Sequence, residues 1–393
     1  MASPGDPLAN RFPIGASLTL GELDINPYPA LARLREHEPV SWVTALDGWL
    51  VTRHDLVVDA MRAASTFTVD DPRFSTAQVV GPSMLSLDGA EHARHRAAFA
   101  GPFRVRAVAE RFARATEVEA TRLIERLRAH GRAELRREFA GPLAAAIVAR
   151  ALGLSGEETG ELLGWYDAIV GSVTQITAGS RPSRDGELAY EALGERLRAS
   201  IDAGGSLLAE AAQDATLSPQ QIASNAAVLL FGGIETTEGM IANLLVHLLG
   251  MPERARIARD DPTVLDAAID ESLRLEPAAA VIDRYATADT TLAGVEIAGG
   301  DLVRLSLTAA NRDPTVFGDP DTFAPARLNA GRQLAFAAGP HVCVGVHLAR
   351  LEARVGVAAL LALLPGLALD PAQVPVVRGL VFRKPVRVDA LWR

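Results

Sequence analysis

The most reactive group in this sequence is its single thiol. Cys343 is the only cysteine among 393 residues, and it lies in the segment FAAGPHVCVGVHLAR between Gly339 and Gly345. A thiolate is a strong, soft metal ligand once its proton has left. The residues after it predict a helix, and the unpaired N–H groups at a helix amino end favour a nearby anion. The segment therefore allows two interpretations: a metal ligand, or a small buried apolar residue, which is the commoner role of a lone cysteine.

A lone cysteine restricts the kind of metal site that is possible. Structural zinc needs four nitrogen or sulfur ligands, and this segment offers one thiol. A haem iron needs only one axial ligand of this type. Gly339 and Gly345 would let the backbone turn tightly and approach a flat cofactor closely. Cys343 therefore suits an axial haem ligand better than a zinc ligand.

A second group of residues with chemical potential lies in FGGIETTEG. Gly232 and Gly233 interrupt an apolar helical pattern, where each costs about 1 kcal/mol relative to alanine. They would let the helix kink or bulge, which leaves room for a small molecule beside the Thr236 hydroxyl and the Glu235 carboxyl. In the alternative, the glycines serve helix packing and Thr236 donates back to a carbonyl of its own helix.

Two spaced pairs of charged residues complete the set. In EHARHR, His92 and Arg96 are four residues apart on one helix face, where they could hold an anion by charge-assisted hydrogen bonds. In ESLR, Glu271 and Arg274 are one helical turn apart. Each pair alone also fits an ordinary solvated helix, so the spacing leaves both interpretations open.

The helix that carries Glu235 and Thr236 has the clearest boundary signals. Ser218 can cap its amino end, Pro219 fits the first helical position, and Gln221 completes a capping box. The apolar pattern continues to Gly250, which predicts a helix about 45 Å long. Because it is apolar on most faces, this helix should cross the centre of the fold.

Other segments predict shorter elements. Leu31 and Leu34 lie on one face of a predicted helix, and the late apolar helix should end before Pro365. Asp47-Gly48 and Gly299-Gly300 each separate two alternating runs, which predicts two hairpins. Residues 67–87 show no lasting period, and so long a loop in a compact chain is usually functional.

The composition favours a cytoplasmic globular protein. We find no internal repeat and no dividing linker, so we expect one mainly helical domain over residues 1–393, with a minor β portion. A net charge of −9 argues against nucleic acid as a partner. The amino terminus has no basic region followed by an apolar run, and we expect neither a signal peptide nor a membrane span.

The cysteine segment resembles the haem-binding loop of the cytochrome P450 family, F-G-x-G-x-H-x-C-x-G-x-x-L-A-R. The residues that match are Phe336, Gly339, His341, Cys343, Gly345, Leu348, Ala349 and Arg350. Ala337 departs from the pattern where glycine is common, which is a mild change if its φ is negative. The resemblance extends from about Asn26 to Val388, and the other motifs follow in the family's order.

The resemblance implies a fold and a cofactor. The fold is a helical prism with small β-sheets, and haem b lies between the long central helix and the helix after the cysteine loop. Cys343 is the implied iron ligand, and Glu235 and Thr236 are the implied proton-delivery residues. The implied haem-binding residues are His92, Arg96, Gly232, Gly233, Arg284, Phe336, Gly339, His341 and Gly345, with His92, Arg96, Arg284 and His341 at the propionates. Glu271, Arg274 and Arg327 are implied to form a structural network.

The resemblance also implies an activity and partners. We expect a soluble, monomeric monooxygenase that uses dioxygen to hydroxylate a medium-to-large, mostly apolar small molecule, such as a natural-product intermediate. Electrons would pass from NAD(P)H through a separate ferredoxin reductase and ferredoxin. The expected substrate contacts are Met84, Leu85, Leu229, Ala279, Val281, Ile282, Leu380 and Val381.

Two other functions remain open at this stage. The same haem centre could couple aromatic groups oxidatively, or the protein could be a haem-binding scaffold without catalysis. A purely peroxide-driven enzyme is disfavoured, because that route does not need the proton delivery that Glu235 and Thr236 would provide.

Overall fold

The structure, a computed structural model, describes residues 7–154, 159–177, 181–213 and 216–393. Helices make up most of it. Their bounds are α1 Pro7–Arg11, α2 Pro13–Ser17, α3 Leu20–Ile25, α4 Tyr28–His37, α5 His54–Arg62, α6 Ser75–Val80, α7 Gly89–Ala100, α8 Val105–Arg128, α9 Gly141–Ala151, α10 Thr159–Thr177, α11 Arg184–Ala203, α12 Leu207–Gln213, α13 Pro219–Leu249, α14 Pro252–Asp260, α15 Pro262–Leu275, α16 Leu307–Ala310 and α17 Val346–Leu363. The predicted mainly helical fold is confirmed.

The strands form several small sheets. Their bounds are β1 Val40–Val43, β2 Gly48–Val51, β3 Phe67–Thr68, β4 Arg132–Glu134, β5 Val281–Ala286, β6 Thr290–Leu292, β7 Val295–Ile297, β8 Leu302–Ser306, β9 Ala368–Leu369, β10 Val377–Arg378, β11 Lys384–Pro385 and β12 Asp389–Leu391. The largest sheet has the order β1-β2-β8-β5-β3, and β4-β12-β9 form a second sheet. The pairs β6-β7 and β10-β11 are separate ribbons.

Helix α13 is the central element, as its boundary signals predict. The Ser218 side chain accepts from the Gln221 N–H, and the Gln221 side chain accepts from the Ser218 N–H, which completes the predicted capping box. The helix packs against α9, α15 and α17, and most of its residues are buried. Among the described residues it is the one helix long and apolar enough to cross a membrane, but 83% of its most apolar window is buried inside the protein.

The two predicted hairpins have different outcomes. Strands β1 and β2 pair antiparallel with Val43 opposite Gly48, which confirms the first one. The hairpin predicted at Gly299-Gly300 is wrong, because the turn lies at Ala293-Gly294 between β6 and β7. Strand β8 pairs instead with β5 and with β2. The partner of a strand is a nonlocal choice that alternation in the sequence does not encode.

Two other segments position the site. Within residues 67–87, the predicted loop contains the short strand β3 and the helix α6. Helix α17 ends at Leu363, just before Pro365, as predicted. It packs along α8 and beside α13, and so brings the cysteine loop close to the central helix.

Candidate active site

The cysteine loop is a tight turn that leads into α17. The Cys343 N–H donates to the Phe336 carbonyl at 2.9 Å, and Gly345 caps the helix. Gly339 has φ of +72°, and a Cβ there would lie 2.8 Å from the Met61 carbonyl oxygen on α5. Glycine is therefore required at position 339 for the turn and for packing on α5, a reason that the sequence pattern did not reveal.

Two opposing effects act on the Cys343 thiol. Burial raises its pKa, because the charged form loses solvation. The hydrogen bond from the Gly345 N–H and the positive charge of Arg96 act in the opposite direction. The predicted influence of the helix amino end is present, but burial outweighs it.

Ala337 corrects an assumption made from the sequence. Its φ is +58°, in the left-handed region, so the negative φ under which alanine would be a mild change is not observed. A Cβ in this region is strained, which is why glycine is common here in the family's pattern.

One face of α13 is less buried than the rest. Leu229, Gly232, Gly233 and Thr236 are partly accessible, while most of their helical neighbours are buried. Their spacing of i, i+3, i+4 and i+7 places them on one stripe. Leu229 packs against both large core clusters, so this stripe lies inside the fold, where it can line a ligand site.

The two glycines on this stripe have different roles. A Cβ on Gly233 would lie 2.4 Å from Val148 Cγ2 of α9, so this glycine serves helix packing. A Cβ on Gly232 would have no atom within 4 Å. The α-helix continues through both residues without the predicted bulge, and the Thr236 hydroxyl donates to the Gly232 carbonyl at 2.6 Å. Both sequence interpretations are thus partly correct.

Glu235 points away from this stripe into a buried polar network. One carboxylate oxygen lies 2.7 Å from Lys384 Nζ, and the other accepts a hydrogen bond from the Tyr166 hydroxyl. Burial and the nearby Glu235 charge raise the pKa of Tyr166, so this phenol stays a donor. Sequence reasoning missed Tyr166 and Lys384, and the only available signal was that Lys384 is the sole lysine of the chain.

A group of basic side chains gathers at the amino end of α7. The His92 and His341 rings are 4.3 Å apart, and His92 Nε2 is buried without a partner among the described residues. Burial, followed by the charges of His341 and Arg96, lowers the pKa of His92 to about 4. A buried ring nitrogen without a partner is the feature expected where a polar ligand group binds.

Asp88 engages one of these histidines. His341 Nε2 lies 2.7 Å from Asp88 Oδ1. Burial opposes ionisation of Asp88, but hydrogen bonds from His341, Thr68 and the Val69 N–H outweigh it and lower its pKa to about 2. Sequence reasoning did not identify this carboxylate.

The two arginines predicted at the same site lie nearby. Arg96 donates to the Val342 carbonyl at 2.7 Å, next to Cys343. Arg284 is buried on β5 and donates to the Asp283 carbonyl, and burial lowers its pKa to about 10 despite the attraction of Asp88 and Asp283. Both guanidiniums remain charged at neutral pH.

The predicted substrate residues divide into three groups. Met84, Leu85 and Leu229 lie in one apolar cluster that also holds Phe382 and Val344. Ala279 pairs with Phe382, and the Val381 carbonyl accepts from the Ala280 N–H. The remaining three residues lie elsewhere. Val281 and Leu380 line a small cleft with Leu23 and Leu31 of the amino-terminal helices. Ile282 packs on the core of the large sheet.

The predicted structural residues form a buried network. Two Arg274 nitrogens donate to Glu271 at 2.7 and 2.8 Å, and Arg327 Nε donates to the same carboxylate at 3.0 Å. The side chains of Glu271 and Arg274 are 0% exposed. Arg274 also donates to the carbonyls of Asn311, Pro320 and Thr322, so the network ties α15 to the segment before the cysteine loop.

This fold and site define the class of protein. It is a mainly helical protein in which a loop with the single cysteine lies near the partly accessible face of a long central helix. A sequence model described as "Cytochrome P450" matches residues 195–364. The chain is 34% identical to nocardicin C N-oxygenase from Nocardia uniformis subsp. tsuyamanensis, over 93% of this chain and 95% of that protein. It is 33% identical to vitamin D(3) 25-hydroxylase from Pseudonocardia autotrophica, over 94% and 93% respectively.

Solved structures also match the fold of this chain. The crystal structure of P450BioI with a fatty-acid-ligated acyl carrier protein matches with a TM-score of 0.83 and 28% identity, over 94% of this chain and 99% of that one. CalO2 matches with a TM-score of 0.85 and 25% identity, over 100% and 98%. This chain belongs to the cytochrome P450 family, and it is a P450 monooxygenase.

Family membership implies haem with a cysteine thiolate ligand, and Cys343 is the only cysteine that can supply it. The residues present fit this group. The unpartnered His92 Nε2 and the charged Arg96 and Arg284 would suit its propionates, and the open space beside Gly232 would leave room for a small molecule next to α13.

Proposed function

We propose that this monooxygenase hydroxylates a medium-to-large, mostly apolar natural-product intermediate. Its relatives include proteins named for nocardicin C and mycinamicin IV, which supports a substrate of this class. The single observation that carries the proposal is the stripe Leu229, Gly232, Gly233 and Thr236, which is the partly accessible face of an otherwise buried helix.

The surroundings of this stripe favour an apolar ligand. Leu229 belongs to the cluster that contains Met84 from the loop before α7 and Phe382 from the turn before β11. The Phe231 and Phe382 rings pack edge to face at 5.5 Å. Burying such a surface against a ligand is favourable by about 25 cal/mol per Å² of apolar area. We assign these residues, with Leu85 and Ala279, to the substrate site.

Bound haem supplies the oxidation chemistry, which activates dioxygen with electrons and protons delivered from outside. The protein residues position the substrate, exclude water and move protons. We assign proton delivery to Thr236 and Glu235, which are consecutive residues of α13 with side chains on different faces of the helix. The Thr236 hydroxyl would leave the Gly232 carbonyl to act as a donor, because one hydroxyl proton cannot serve both acceptors.

Electrons are proposed to come from a ferredoxin that binds near the cysteine loop. Arg332 precedes the cysteine loop in the sequence, and Arg350 and Arg354 lie on the helix that follows it, so these cations suit an acidic partner. Arg350 is paired with Asp270, and Arg354 lies 3.9 Å from Asp266, so Arg332 carries the more available charge.

The substrate class is tested by optical titration of the ferric enzyme. The panel contains a macrolactone, a steroid, vitamin D3, and a long-chain fatty acid both free and attached to acyl carrier protein. We expect an apolar panel member to displace water from the iron and shift the Soret band. Turnover with surrogate ferredoxin, reductase and NAD(P)H should then add one oxygen atom to that compound. Loss of hydrogen without gain of oxygen would indicate oxidative coupling instead, and no turnover would indicate a scaffold.

The proposed proton delivery predicts the behaviour of Thr236→Ala. We expect the fraction of electrons that form product to fall by about tenfold, with a matching rise in peroxide, because a positioned proton donor is lost. Thr237→Ala is the matched control, since Thr237 is a buried neighbour on the same helix. Both variants should keep the red-shifted band of the reduced enzyme with carbon monoxide. Equal product yields in the two variants would refute the assignment of Thr236.

A further inference from the structure

The only lysine of the chain lies beside the proposed proton-delivery acid. Lys384 is one of 39 basic residues, and the other basic residues are all arginine. Its Nζ lies 2.7 Å from Glu235 Oε1 and 2.5 Å from Glu238 Oε2. An ammonium presents its donors in several directions from one point, so it can bind two carboxylates at once. A planar guanidinium is less suited to this geometry.

The backbone allows this close approach. Lys384 is at the start of β11, which packs on α13. A Cβ on Gly239 would lie 3.0 Å from the Ala278 Cβ and 3.4 Å from the Lys384 Cβ. The glycine therefore lets the strand pack tightly on the helix, one turn after Glu235.

The charged groups around Glu235 balance one another. Lys384 and Arg136 face Glu235 and Glu238, and Arg136 Nε lies 3.1 Å from Glu238 Oε1. The exposed fractions of the four side chains are 14% for Lys384, 17% for Arg136, 8% for Glu235 and 10% for Glu238. Tyr166 of α10 donates to Glu235, and the charge of Asp167 on the same helix acts on Tyr166. Two acids and two bases thus form a nearly buried neutral set.

We propose that Lys384 is a positioning residue for Glu235. Both Glu235 oxygens are held, one by Lys384 and the other by Tyr166, and neither contact involves Thr236. Lys384 therefore decides where the Glu235 carboxylate is placed relative to Thr236. The inference depends on the proposed role of Glu235 in proton delivery, and it adds the group that directs it.

The contact itself is tested without any substrate. Because the chain has one lysine, lysine labelled isotopically at its side-chain nitrogen gives one ammonium signal in nuclear magnetic resonance spectra of the reduced, carbon-monoxide-bound holoenzyme. We expect Glu235→Gln and Glu238→Gln each to move this signal. Asp167→Asn is the control and should leave it in place. A signal that ignores Glu235→Gln would overturn the proposal.

The functional role is tested by separating charge balance from position. Lys384→Met leaves the set with an excess negative charge, and we expect both the thermal midpoint and the yield of product per electron to fall, the latter by about tenfold. The assay uses the panel compound that gives the largest Soret shift. The double variant Lys384→Met/Glu238→Gln restores the net charge but not the contact with Glu235. It should regain most of the thermal midpoint without regaining the product yield.

The remaining outcomes distinguish positioning by Lys384 from charge balance and from failure of the proton route. Recovery of product yield together with the thermal midpoint would show that Lys384 acts only through charge balance, which refutes positioning. Lys384→Arg keeps the charge on a different geometry and should restore stability more than yield. If Glu235→Gln leaves the product yield unchanged, the proposed proton route through Glu235 fails, and the positioning role fails with it. If Glu235→Gln lowers the yield and Lys384→Met does not, only the positioning role fails.

Discussion

At the scale of single residues, backbone conformation restricts which residue types fit the cysteine loop. Gly339 has a positive φ and packs against the Met61 carbonyl, so its glycine is fixed by conformation and by space. Ala337 has a positive φ as well but carries a Cβ. The cysteine loop therefore keeps its conformation at the cost of backbone strain at Ala337.

This cost leads to a prediction for Ala337. Ala337→Gly should raise the free energy of unfolding of the holoenzyme by about 1 kcal/mol, because glycine removes the strain of a left-handed residue. Denaturant unfolding measures the change. Ala338→Gly is the matched control, since Ala338 has φ of −143° and glycine there should destabilise. A stabilisation of the same size at both positions would contradict the explanation.

At the scale of elements, α13 combines two functions in adjacent glycines. Its capping box and apolar surface are set by the local sequence and make it a long core helix. Gly233 brings α9 close, while Gly232 leaves space beside Thr236. Glycine is unfavourable inside a helix, so the sequence indicates that this pair has a role. Only the contact with α9 shows that Gly233 serves helix packing and Gly232 does not.

Because Gly232 and Gly233 have different roles, alanine at the two positions should have opposite effects on stability. Gly233→Ala should destabilise the protein by roughly 1–3 kcal/mol, because its Cβ would overlap Val148. Gly232→Ala should be neutral or stabilising by up to about 1 kcal/mol, since alanine is the better helix former. It should also weaken the Soret shift caused by the panel compounds, because it fills space beside the ligand.

Denaturant unfolding and ligand titration of both variants check this prediction. The double variant Gly233→Ala/Val148→Ala should recover part of the lost stability, because the smaller side chain removes the overlap. Equal destabilisation by the two single glycine variants would show that both glycines serve packing alone.

At the scale of the whole molecule, buried polar networks join elements that are far apart in sequence. Glu271 and Arg274 connect α15 to carbonyls between residues 311 and 322. His247 of α13 shares a hydrogen bond with Ser272 at 2.9 Å, and its ring stacks on Phe323. These contacts support the region from which the cysteine loop begins.

His247 makes stability depend on pH. Burial, with the charges of Arg312, Arg254 and Arg274, lowers its pKa to about 3, whereas the unfolded state has a value near 6.5. The folded state then binds fewer protons, so this contribution is complete above about pH 6.5 and is lost as the pH falls towards 3. The loss is at most roughly 1.4 kcal/mol for each pH unit in that range.

The measurement is denaturant unfolding of the holoenzyme between pH 7 and about pH 4.5. His247→Gln should show a weaker dependence of stability on pH than the natural protein. His130→Gln is the control, because His130 is exposed. An unchanged pH dependence in His247→Gln would contradict the assignment.

Features that depend on local order can be predicted from the amino-acid sequence. The capping box of α13, the end of α17 before Pro365 and the cysteine loop are each encoded within a few residues, and the cysteine loop was sufficient to suggest the cofactor. The spacing of Glu271 and Arg274 also identified a real contact, since residues one helical turn apart are neighbours in any helix.

The packing of whole elements sets which distant groups meet. Lys384 and Glu238 are 146 positions apart, and β12 pairs with β4 across an even longer separation. Local propensity carries no information about such partners, because they are selected when whole elements pack and bury their surfaces together. For the same reason, the tertiary structure separated Leu380 from Phe382, gave Gly232 and Gly233 different roles, and placed the one lysine on Glu235.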